Sequence, residues 1–208
     1  QLVNWLGDTV TGTQNNYNRR AERALLPYDV SQRLVTNVTF ALPFGRGHAI
    51  GSQWGKALDL IAGGWQLNGI GTFQTGVPLV MGLNAANPFG GSRPNSTGAS
   101  AELDSSQRTI ARWFDTTAFT QTPAYSLGNV SRTLPDVRGY NTKNFDLSIF
   151  KVLSLTERVK LQIRGEAFNA FNRTRFGNPN TAFGSPNFGR ITSAGDPRQI
   201  QLAMKLNF

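Results

Sequence analysis

From Gln199 the chain reads Gln-Ile-Gln-Leu-Ala-Met-Lys-Leu-Asn-Phe and stops at Phe208. Ile200, Leu202, Met204, Leu206 and Phe208 are apolar, and of the positions between them only Ala203 is. Successive side chains on an extended strand point to opposite faces. The spacing therefore predicts a strand with one apolar and one wet face. The same constraint recurs upstream. Val159, Leu161, Ile163, Gly165 and Ala167 alternate with Lys160, Gln162, Arg164 and Glu166. Phe145, Leu147 and Ile149 alternate with Asn144, Asp146 and Ser148. From Arg33 to Leu42, Leu34, Val38, Phe40 and Leu42 oppose Arg33, Asn37 and Thr39. From Trp65 to Val77, Trp65, Leu67, Gly69, Gly71 and Phe73 oppose Gln66, Asn68, Thr72 and Gln74, with Ile70 out of pattern. Residues 1–6 read as the end of a further strand.

The links between these strands differ in length. Ser154–Glu157 is a hairpin-length turn, whereas Pro78–Thr142 and Phe171–Pro197 are long and rich in Asn, Gly and Pro. The Leu42–Trp65 link is intermediate. Long structureless loops are uncommon in compact soluble domains. They are expected on the outer side of a membrane barrel, whose periplasmic turns are short. Strands of about ten residues suffice to cross a bilayer at a tilt. The polar faces carry Lys160, Arg164, Glu166 and Lys205, which suits a wet lumen. Aromatic residues sit near strand ends (Phe40, Phe44, Trp65, Phe73, Phe150, Phe168, Phe171, Phe208), where interfacial girdles place them. The expected fold is all-β, an antiparallel up-and-down transmembrane β-barrel segment. A water-soluble β-sandwich shares the alternation but leaves the strand length and the charged faces without a purpose.

Composition narrows the chemistry. The chain has no Cys and one His, so thiolate sites and a cluster of His ligands are excluded within it. His48 lies in a Gly-rich link without a nucleophile elbow. Gly51–Lys56 resembles a phosphate-binding loop but is one residue short, and Ala57 stands where the hydroxyl residue belongs. No enzyme activity, metal or cofactor is expected. The net charge is +9, yet the basic residues are scattered, with no run longer than Arg19-Arg20, and no nucleic-acid partner is expected. Trp113, Phe114, Phe119 and Tyr125 stand among polar residues of the long loop. They are candidate ligand contacts; the bland alternative is that they pack the loop on itself.

Several segments carry a family likeness: Tyr28-Asp29-Val30-Ser31-Gln32-Arg33-Leu34-Val35, Gly63-Gly64-Trp65-Gln66-Leu67-Asn68-Gly69-Ile70, Thr75-Gly76-Val77-Pro78-Leu79, Asn144 through Lys151, Arg164 through Arg173, and the terminal strand. Together they resemble the C-terminal part of TonB-dependent outer-membrane receptors of the Oar-like type, which carry a carboxypeptidase-regulatory-like N-terminal domain. The resemblance implies a barrel of about 22 strands filled by a plug, in the outer membrane of a Gram-negative bacterium. It implies lipids around the wall, an unidentified transported ligand, and energy from TonB through an N-terminal part. The terminal residues Leu202, Met204, Leu206 and Phe208 resemble the signal read by the barrel-assembly machinery. On this reading residues 1–208 are one barrel-domain fragment with five complete strands and part of a sixth. Its function is to form part of the wall for active uptake. The alternative is a secreted β-sandwich adhesin or carbohydrate-binding module.

Overall fold

A computed structural model describes residues 13–15, 17–85 and 91–208. The strand expected at residues 1–6 lies outside the described residues. In chain order the strands are β1 (Arg33–Ala41), β2 (Trp65–Gln74), β3 (Gly82–Leu83), β4 (Asn95–Ser96) and β5 (Phe119–Thr120). They continue with β6 (Thr142–Ser154), β7 (Lys160–Phe168), β8 (Ala182–Phe183) and β9 (Gln199–Asn207). A short helix, α1 (Lys56–Ala62), lies between β1 and β2, and Thr116–Ala118 forms a 3-10 turn.

The chain divides into two compact units. The first is a sheet unit of residues Arg33–Gln74, Thr142–Thr174 and Asp196–Phe208. Its five strands run β1-β2-β6-β7-β9, and every neighbouring pair is antiparallel. This is the up-and-down topology that the sequence predicts. The strands have 9, 10, 13, 9 and 9 residues, the span of a tilted transmembrane strand.

Pairing register decides what the alternation means. Phe40 lies opposite Leu67, Leu67 opposite Ile149, Ile149 opposite Gly165, and Gly165 opposite Leu202. That row crosses all five strands without a polar residue. The adjacent row is Thr39, Asn68, Ser148, Glu166 and Gln201, all polar. The five apolar stripes thus fall on one side of the sheet and most of the polar stripes on the other. No described residue covers the apolar side: Val38 is 61% exposed, Leu202 84% and Met204 77%. A β-sandwich would bury these side chains under a second sheet.

Two aromatics depart from the expected girdle. Phe150 pairs with Gln66 and Arg164, and Phe168 pairs with Gln199, so both belong to the polar side. The Arg164 guanidinium lies 5.8 Å from the Phe150 ring centre, which gives that ring a cationic partner. The girdle reading does fit Phe73 and Phe171, which meet the Phe145 ring edge to face at 5.3 and 5.2 Å.

The second unit is assembled from the long links, Thr75–Asn141 and Arg175–Gly195, with the described residues up to Gln32. These loops have a core of their own. Leu79, Met81, Phe114, Phe119, Val130, Leu134 and Val137 are buried together, with Phe183 and Phe188 packed against them. Phe188 meets Phe114, Phe119 and Phe183 edge to face at 5.2, 5.8 and 5.4 Å. Such pairs each add about 0.5–1.5 kcal/mol beyond burial. Gly76 is required where the chain enters this unit, because a Cβ there would overlap the Gly139 carbonyl.

Both β1 and β9 have a single neighbour among the described strands. Unpaired edges and an uncovered apolar face together favour association. The chain purified without detergent is therefore expected to elute as aggregates in size exclusion with light scattering. A monodisperse monomer would contradict this account of the sheet.

Candidate functional site

Strand alternation places Lys160, Arg164 and Glu166 on the polar side of β7, and pairing places Lys205 opposite Gln162 on the same side. All four predicted residues therefore share one face. Glu166 and Arg164, two residues apart, form an ion pair at 3.4 Å, Arg164 Nη1 to Glu166 Oε1. Lys160 and Lys205 are exposed and stand near the end of the sheet that carries the short β6–β7 turn. Asn144 Nδ2 donates to Asp146 Oδ1 at 2.9 Å. The face thus offers charges of both signs, amides and hydroxyls along a wet wall, without a convergent catalytic group. Among the described residues no three His, Asp or Glu side chains gather to hold a metal.

On the opposite side, the small residues Gly69, Gly165 and Ala167 leave a 620 Å³ hollow bordered by Phe40, Leu67, Leu147 and Ile200. It lacks the few convergent polar groups that orient a small molecule. Its chemistry is that of hydrocarbon.

Sequence reasoning missed the residue that closes β7. Asn169 is buried at φ 49°, a left-handed conformation that Asn tolerates better than most residues. Its N–H donates to Asp146 Oδ1 at 2.9 Å. Its amide donates to the Arg173 carbonyl and its Oδ1 accepts the Arg173 N–H, both at 2.9 Å. Asn172, also at positive φ, accepts the Arg198 N–H at 3.0 Å and so ties this turn to the start of β9. The Asn-x-x-Asn spacing was the available signal, since both positions need side chains that satisfy a tight turn.

In the loop unit the candidate aromatics separate. Phe114 is fully buried and Phe119 is 6% exposed, so neither presents a surface to a ligand. The self-packing alternative describes them, because both are members of the unit's core. Trp113 is partly buried, donates from Nε1 to the Arg138 carbonyl at 2.8 Å and leans on Tyr140. Tyr125 is 73% exposed and remains available.

Two ion pairs that composition could not reveal hold this unit. Arg138 binds the Asp29 carboxylate at 2.6 Å and also donates to the carbonyls of Asp29 and Gly76. Glu22 and Arg93 form a buried pair. Beside it lies a 220 Å³ cavity bordered by Arg19, Glu22, Arg23 and Arg132. Asp115 follows the core ring Phe114 and accepts from the Thr117 hydroxyl at 2.8 Å, the Thr117 N–H at 3.1 Å and Arg112 at 2.9 Å. The Thr117 bonds, hydroxyl first and then N–H, hold the Asp115 carboxyl below its ordinary range, with Arg112 adding to them against a small opposing effect of burial.

A set of antiparallel strands of membrane-spanning length, apolar on one side and wet on the other, defines the wall of a membrane β-barrel. Residues 3–201 match the model of the outer membrane beta barrel domain, and the chain belongs to that family. The match runs through both compact units. The protein is accordingly an outer-membrane protein. Neither a curated protein nor a solved structure matches the chain.

A depressed carboxyl pKa contributes stability that is present above the unfolded-state value and lost as pH falls through the folded-state value. Acidification through and below the carboxylate range should therefore weaken the loop unit near Thr116–Ala118. Asp115→Ala should start about 1 kcal/mol less stable and lose that part of the pH dependence. Limited proteolysis of the detergent-solubilised protein across pH reads both effects, and identical acid profiles for the two proteins would refute the assignment.

Proposed function

We propose that the chain forms part of the wall of a TonB-dependent outer-membrane receptor that takes up a ligand actively. Membership of an outer-membrane barrel family supplies the coarse half of this reading. The observation that carries the finer half is the continuous wet face of Asn68, Ser148, Glu166 and Gln201 with Arg164, Lys160 and Lys205 beside it. Such a face suits a lumen through which a hydrated solute or a plug passes. The TonB partner and the Oar-like type rest on the resemblance of the strand and turn segments. The role is mechanical, with no catalytic step, and needs no cofactor and no nucleic acid.

The apolar side meets outer-membrane lipid on this reading. The assembly machinery captures the free edge of β9 by strand pairing, with Leu202, Met204, Leu206 and Phe208 as the anchors. Tyr125 and Trp113 are the remaining candidates for ligand contact in the loop unit.

Uptake of labelled siderophores, oligosaccharides, peptides and cobalamin should be compared in the parent strain, a strain lacking this protein and a strain lacking TonB. At least one substrate should lose most of its uptake in both mutants. Losses that never coincide would reject active import.

Deletion of Phe208 should separately slow outer-membrane assembly, read as heat-modifiable barrel formation over time, more than it weakens the binding of that substrate by assembled protein. Unchanged assembly would remove the signal role.

A further inference from the structure

Helix α1 is arranged the reverse of a helix in a water-soluble domain. Its polar backbone is what the protein holds, and its apolar side chains point away. Leu58, Leu60 and Ile61 are 48%, 60% and 71% exposed, and no residue of the helix is buried. Seven residues cannot hold a helix in water by themselves. The tethers come from elsewhere in the sheet unit. Lys151 Nζ donates to the carbonyls of Asp59 at 3.0 Å, Leu60 at 2.7 Å and Gly63. Trp65 Nε1 donates to the Ile61 carbonyl at 2.9 Å. Asp59 Oδ1 accepts the Arg46 N–H at 2.7 Å.

Lys151 interrupts the apolar stripe of β6. By register it stands between Trp65 and Ile163, on the same side as Leu67, Ile149 and Met204. A cation on that side would be expensive if left bare. Instead it is 5% exposed, and its three N–H donors all meet carbonyls at the C-terminal end of α1, where the helix dipole favours positive charge. Lys151 and Trp65 therefore pin α1 to the border of the apolar side, at the end that carries the short β6–β7 turn.

We infer that α1 is an interfacial helix whose Leu58, Leu60 and Ile61 enter the headgroup–acyl boundary of the phospholipid leaflet at the short-turn end. The inference rests on the barrel-wall reading, in which the apolar side of the sheet meets lipid. Continuity selects lipid as the occupant: the exposed apolar side chains of α1 extend the uncovered apolar surface of the sheet. Trp65 lies between the two, as amphipathic rings do at a membrane boundary. Exposed Lys56 opens the helix and exposed Arg46 lies beside it, and both suit anionic headgroups.

The test uses nitroxide labels on single cysteines in isolated outer membranes of cells expressing the protein, in a cysteine-free background. The labelled variants are Leu58→Cys and Ile61→Cys, with Leu202→Cys as the sheet-face reference and Glu157→Cys as the aqueous reference at the same end. Collision with oxygen, which partitions into lipid, is compared with collision with a water-soluble nickel chelate. The oxygen-to-nickel ratio at Leu58 and Ile61 should exceed that at Glu157 several-fold and approach that at Leu202. An aqueous ratio at both helix positions, with a lipid ratio at Leu202, overturns the inference and leaves the barrel reading intact. An aqueous ratio at Leu202 rejects the barrel reading and the inference with it. Low access to both reagents at Leu58 and Ile61 means protein covers the helix, which also overturns the inference. Lys151→Met should raise the mobility of the Ile61 label and Lys151→Arg should restore it; unchanged mobility overturns the anchoring role of Lys151.

Discussion

Strand pairing is the constraint on which the rest of this structure depends, and it acts through register. A one-residue slip in a single pairing would carry a strand's apolar stripe onto the wet side. The row from Phe40 to Leu202 shows which side chains the offset brings together. Gly165 stands between Ile149 and Leu202, and the methyl groups of those neighbours lie 3.6 and 3.5 Å from where its Cβ would be. In the next apolar row Val38, Gly69, Leu147, Ala167 and Ile200 alternate large and small across the strands, so the apolar side is packed laterally even though no described residue covers it. In hydrocarbon an unpaired backbone group costs several kcal/mol, so the same ladder that sets the faces also makes a spanning sheet possible.

The five long strands were legible because period-two alternation is a local property, visible in ten residues. Their antiparallel order was legible from the link lengths. The loop unit was not. Its core residues Leu79, Met81, Phe114, Val130 and Val137 follow no period, since irregular chain brings them together. Each reads as a lone apolar residue in a polar loop. Phe150 and Phe168 misled for the opposite reason: their type says membrane girdle, and only their parity along the strand says polar side. Lys151 was hidden because its partners are backbone carbonyls of a helix too short to leave a periodic signal. Lys160, Arg164, Glu166 and Lys205 could be read because a face assignment needs only parity.

Polar side chains do at the margins of this protein what apolar ones do in a core. Asn169 replaces a longer turn by bonding to Arg173 and Asp146. Arg138 joins Asp29 and Gly76, which are distant in sequence, through a single guanidinium. A planar donor fork can hold several acceptors at fixed angles, so one residue closes links that would otherwise need a layer of apolar contacts. The economy suits a chain whose sheet spends its apolar side chains on the surrounding medium.

On the proposed uptake reading, the order of the loop unit has a consequence for ligand binding. A long flexible loop must be ordered when a ligand binds, and that ordering subtracts about 0.5–1.5 kcal/mol for each immobilised side chain. The four-ring cluster around Phe188 and the Glu22–Arg93 and Arg138–Asp29 pairs order this unit beforehand. Its exposed groups, Tyr125 among them, are carried on a framework that does not wait for a ligand to form. Binding strength can then come from few contacts, and the sequence of such a surface is free to vary while Phe114, Phe119 and Phe188 keep its support. On the uptake reading, specificity and fold are written in different residues of the same loops.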